Sequence, residues 1–70
     1  MTDGMALKEE IKNSGISVSF IAKKMGKSRN RVYAITNGAD CTASEITSLT
    51  DILHLDRDRR DSIFLRESVN

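Results

Sequence analysis

The sequence predicts an all-α domain, a compact five-helix unit. Three observations carry that prediction. There is no proline and no run alternating valine or isoleucine with polar residues. Apolar residues recur at helical spacing. Ser17, Ser28, Thr42 and Asp56 each stand where a helix start needs a side-chain cap. At 70 residues the chain is one domain, 1–70, with one modest core and little room for an enzyme pocket. Its 39% hydrophobic and 30% charged residues are those of a folded chain rather than a disordered one.

The first helix is expected over about Asp3 to Ser14. Leu7 and Ile11, four apart, share a face there, and Gly15 can leave the helix at positive φ. The second helix is "VSFIAKKM", capped by Ser17 and stopped by Gly26. The third is "RNRVYAITN", capped by Ser28 and ending at Asn37-Gly38. Thr42 and Glu45 form a Thr-x-x-Glu capping box for a fourth helix carrying Ile46, Leu49, Ile52 and Leu53 on one side. Asp56 caps a short fifth helix with the apolar end Ile63, Phe64 and Leu65, and residues 67–70 are expected to fray.

Several function classes fall away. No apolar run reaches the roughly 18–20 residues of a membrane span, and there is no signal-peptide pattern, so a cytoplasmic location is expected. The single cysteine, Cys41, cannot form an internal disulfide, nor a zinc site with the single histidine, His54. Cys41 reads as a loop bystander and His54 as a partly exposed helix-end residue. No nucleophile with a recognisable base, glycine-rich phosphate loop or metal-ligand cluster is evident, so neither an enzyme nor a cofactor is expected.

The net charge of +1 conceals a segregation. Residues 11–39 carry Lys12, Lys23, Lys24, Lys27, Arg29 and Arg31 with no acid, a charge of +6, while residues 1–10 carry −2 and residues 40–70 carry −3. Such a patch attracts a phosphate backbone through counterion release. The alternative is a merely solvated face.

On the third helix, at about 100° per residue, Val32 and Ile35 fall on one side. Asn30, Tyr33, Ala34 and Asn37 cluster on the other, with Arg29 at the flank. Asn can contact adenine bidentately, Arg guanine, and Ala a thymine methyl in the major groove. Tyr33 either reaches a base or phosphate or covers its neighbours. Val18, Ile21, Ala22 and Met25 make the apolar stripe of the second helix. Ala22 is small enough for a close helix crossing and Gly26 gives a tight turn, so the two helices read as a helix-turn-helix over about 17–37. Lys23, Lys24, Lys27 and Arg31 lie off the base-reading centre and suit phosphates.

The run "IAKKMGKSRNRVYAITNG" resembles the helix-turn-helix of the lambda-repressor-like (Xre or Cro-type) family. Ala22, Gly26, Val32 and Ile35 stand at that family's spacing of small residue, turn glycine and two apolar positions. "TASEITSLTDILHL" resembles its fourth helix, and "RDSIFL" the end of short phage-encoded regulators. The resemblance implies a five-helix DNA-binding domain whose third helix enters the major groove. Arg29, Asn30 and Ala34 would be at base-reading positions, and Ser17, Ser28 and Asn37 where phosphate contacts are usual. Val18, Arg29 and Asn30 stand where many relatives have Gln, which implies a different operator. Thr36 replaces a glutamate that pairs with the first helix.

Phe20 lies off the main stripe of its helix. Folding of Ile63, Phe64 and Leu65 over it is favoured, and docking of a second protomer is the alternative. The leading expectation is a sequence-specific, Cro-like or repressor-like regulator from a phage, prophage or mobile element. Its partner would be a palindromic double-stranded DNA operator, bound with a weak homodimer formed on DNA. A chain this short leaves no room for a sensing domain, which favours a Cro-like factor over a full-length repressor; a DNA-binding fragment of a longer protein is the other case. The competing class is a protein-interaction module on the same fold, such as an antitoxin or anti-repressor.

Overall fold

Each expected helix start is present in the computed structural model, which describes residues 1–65; the tail expected to fray, 67–70, lies outside them. The helices are α1 (Gly4–Ser14), α2 (Val18–Met25), α3 (Arg29–Thr36), α4 (Ala43–Leu53) and α5 (Arg57–Phe64). No strand occurs among the described residues. Asp3, Ser17, Ser28, Thr42 and Asp56 each accept the amide three residues on, and Thr42 and Glu45 complete the capping box reciprocally. Each cap is worth about 1 kcal/mol.

Caps start these helices but do not hold them. Three of the five have only eight residues, too few to be stable alone in water. Packing supplies the rest. Leu7, Ile11, Ile21, Ala22, Val32, Ile35, Leu49, Leu53, Ile63 and Phe64 form one buried cluster drawn from all five helices. Ile16, Val18, Met25, Ile46, Ile52 and Leu55 pack partly buried around it. Burying a Leu, Ile or Phe contributes about 1.5–3 kcal/mol, so each core side chain outweighs any one cap. The Cα radius of gyration, 11.1 Å, is close to the ~11 Å expected of a globular chain of this length.

α2 packs on both α3 and α4, while α1 lies across α3, α4 and α5. Gly26 takes φ +70°, a conformation that other residues reach only with strain. From there the chain turns to α3 within two residues, with the Lys27 amide donating to the Ala22 carbonyl at 3.0 Å. At the end of α3, Asn37 stays right-handed at φ −96°, and it is Gly38 that takes positive φ.

The covering of Phe20 by the apolar end of α5 is not what the structure shows. Ile63 and Phe64 are buried, but α5 packs against α1 and α4, and the Asp3 amide donates to the Ile63 carbonyl at 2.7 Å. That bond joins the end of α5 to the start of α1. Phe20 remains 48% exposed, with the Lys24 ammonium 5.9 Å from its ring centroid, and Leu65 is also exposed. Cys41 is half-buried beside Thr2, whose hydroxyl donates to its sulfur at 3.8 Å, and burial pushes the thiol pKa up. His54 is exposed at the end of α4, in the left-handed region at φ 54°.

Gly4 makes a close approach that the sequence does not advertise. A Cβ there would fall on the Thr36 carbonyl oxygen and stand 2.8 and 2.9 Å from the Thr36 carbonyl carbon and the Gly38 amide nitrogen. These neighbours are backbone and cannot swing aside. Gly4→Ala is expected to destabilise the fold by about 1–3 kcal/mol despite the better helix propensity of Ala, as read by urea unfolding; an unchanged or raised midpoint would show that α1 does not seat on the end of α3.

Candidate nucleic-acid interface

The alternation of buried and exposed positions on α3 sets its two faces. Val32 and Ile35 point into the core at 1% and 0% exposure. Arg29, Asn30, Tyr33 and Asn37 are exposed, and Ala34 is half-buried beside them. A guanidinium, two amides and a phenol thus share open surface, and none of them makes a side-chain hydrogen bond among the described residues. Their hydrogen-bonding groups face solvent, where an external partner costs no internal bond.

The cations around the turn between α2 and α3 are exposed as well. Lys23, Lys24, Lys27 and Arg29 fall within seven consecutive residues, and none pairs with a carboxylate among the described residues. By contrast Arg31, Arg59 and Arg60 pair with Glu45, Glu10 and Asp61 respectively. The positive charge at the turn is therefore not tied up in ion pairs among the described residues.

The helix termini add to it. α2 and α3 are capped by neutral serines and have no acidic residue in their first turns. α1 and α5 start on Asp3 and Asp56, and α4 and α5 also carry Glu45 and Asp58 in their first turns. A helix N-terminus carries about half a positive charge, and α2 and α3 are the two described helices with no carboxylate in their own cap or first turn. Ser17 Oγ accepts from the Phe20 amide and Ser28 Oγ from the Arg31 amide, both at 3.1 Å. Capping uses each hydroxyl as an acceptor, which leaves its O–H to donate outward.

Arg31 stands apart from the phosphate-binding set expected from the sequence. Its Nε and Nη2 donate to the two carboxylate oxygens of Glu45 at 2.8 and 2.9 Å, and Nη2 donates to the Asp40 carbonyl at 2.8 Å. Glu45 also accepts from the Thr42 amide at 2.9 Å and is 2% exposed. Two of the three guanidinium nitrogens are engaged because Glu45, brought to the start of α4 by its capping box, meets the Arg31 side chain, which stays 33% exposed. The capping box is legible in the sequence; the partner 14 residues upstream is not.

The Arg31 hydrogen bonds hold the Glu45 carboxyl well below the usual range, at about 2, helped by the Thr42 amide and the charges of Arg31 and Lys27 and opposed by burial. A depressed carboxylate stabilises the fold fully above its ordinary value of about 4.5, and the contribution is lost as pH falls toward 2. The stability gap between the wild type and Glu45→Gln, measured by urea unfolding, is expected to be constant above about pH 5 and to narrow steadily below pH 4.5. A gap independent of pH would show that the carboxylate charge plays no part.

Comparison of the chain with family models, curated proteins and solved structures returned no match.

Proposed function

We propose that this chain is a sequence-specific double-stranded DNA-binding regulator of the lambda-repressor-like type, in which α2 and α3 act as a helix-turn-helix and α3 reads the major groove. The observation that carries the reading is the outward face of α3, with Arg29, Asn30, Tyr33 and Asn37 exposed and without side-chain hydrogen bonds among the described residues, flanked by Lys23, Lys24 and Lys27, which form no ion pair among them. An α-helix fits the major groove, and a bidentate Arg or Asn contact there discriminates by about 1–3 kcal/mol.

In this assignment Arg29, Asn30 and Tyr33 contact base edges and Ala34 meets a thymine methyl. Ser17, Ser28 and Asn37 bind phosphates together with the three lysines, which set position and not sequence. Arg31 is left out of the phosphate set because its fork is engaged by Glu45. Two copies would occupy a palindromic operator, half-sites about one helical turn apart, and repress by excluding polymerase. The half-exposed Phe20 favours a second reading, a protein-interaction module whose basic face meets an acidic partner.

Selection of bound duplexes from a randomised pool at near-physiological salt separates the two. A palindromic motif is expected, with Arg29→Ala or Asn30→Ala relaxing preference at one base pair by about 1–3 kcal/mol. Lys27→Ala should weaken every duplex equally and reduce the salt slope by about 1. Weak, uniform DNA affinity without enrichment would sink the DNA reading in favour of the interaction module, and uniform weakening by Arg29→Ala would remove that residue from the base-reading set.

A further inference from the structure

We infer that Glu45 is a specificity-determining positioning residue: by holding the fork of Arg31 it pins the first turn of α3 to the start of α4 and withholds one cation from DNA phosphate. The inference rests on the DNA-binding reading and concerns a residue that reaches DNA only through another.

The pin is directional where the rest of the seat of α3 is not. Val32 and Ile35 hold α3 to the core by apolar burial, which resists separation and large rotations but opposes small rotations about the helix axis only weakly. The pair of parallel N–H to O bonds at 2.8 and 2.9 Å has a fixed plane, and the third bond, to the Asp40 carbonyl, locks the guanidinium within it. Arg31 directly follows Asn30 and lies two residues after Arg29, so a small rotation about this point moves both base-reading side chains. Hydrogen bonds to base edges survive only within a few tenths of an ångström, so their strength depends on that rotation being fixed.

The same contact sets the charge presented to DNA. Among the described residues Lys23, Lys24, Lys27 and Arg29 form no ion pair, whereas Arg31 is neutralised by a carboxylate that is itself buried. A fifth free cation would add affinity for any duplex and so dilute discrimination, because phosphate contacts carry no sequence information. Glu45 therefore favours specificity in two ways, through geometry and through restraint of non-specific attraction.

Glu45→Gln tests both. Gln is accepted in the capping box and can still bond the Thr42 amide, but it carries no charge to hold Arg31. Affinities of the full chain for the selected operator and for a non-specific duplex would be measured across a salt series, at a temperature where circular dichroism shows both proteins folded. The expected result is a rise in non-specific affinity, a salt slope steeper by about 1, and a fall of about tenfold in the ratio of specific to non-specific affinity. Loss of fold alone would lower both affinities in proportion and leave the ratio and slope unchanged, and that pattern would overturn the inference.

Arg31→Lys keeps the charge and loses the planar fork, and it serves as the second variant should Glu45→Gln fold poorly. A fall in the ratio supports the pin, and an unchanged ratio overturns it. A wild type with no sequence preference overturns the DNA reading itself and this inference with it. A selective wild type matched by an equally selective Glu45→Gln overturns the inference alone.

Discussion

The buried carboxylate of Glu45 is where three parts of the chain meet. It closes the capping box of α4 through the Thr42 amide, takes the Arg31 fork from α3, and through Arg31 ties in the Asp40 carbonyl of the connecting loop. A carboxylate at 2% exposure would be costly if unpaired, and it is tolerated because its oxygens accept three hydrogen bonds, two of them from a cation. A pair of this kind adds little net stability over a well-packed apolar alternative. Its effect is conformational, because it gives the junction of α3 and α4 a single arrangement that apolar packing alone would leave looser.

The surface follows from how charges are paired. Around the turn between α2 and α3 the lysines and Arg29 form no ion pair among the described residues and both helices begin on neutral caps, while Arg59 and Arg60 of α5 are matched by acids on α1 and on α5 itself. A chain of net charge +1 thereby presents one electropositive region, and at a Debye length of about 8–10 Å the acids elsewhere screen it little. The apolar side of α3 is closed by Val32 and Ile35, so its polar side is free to meet a ligand without disturbing the core.

The polarity pattern made most of this legible in advance. Helix starts at Ser17, Ser28, Thr42 and Asp56 are local events, governed by one side chain and the amide three residues on, so they appear in the sequence as they do in space. The outward set Arg29, Asn30, Tyr33 and Asn37 follows from helical periodicity once Val32 and Ile35 are placed inside. Phe20 is harder to read, because its exposure depends on where α5 comes to rest, and that helix packs its Ile63 and Phe64 against α1 and α4.

By itself, then, the sequence determined the five helices, the caps of four of them, the core faces of α1 to α4 and the clustering of positive charge, since all of these arise from interactions within a few residues. Only the tertiary structure decided that Arg31 pairs with Glu45, that Gly4 must lack a side chain to seat α1 on the Thr36 backbone, and that Phe20 stays half-exposed. Each of these turns on a contact between segments far apart in the chain. Residue type and spacing do not encode such a contact until packing has brought the segments together.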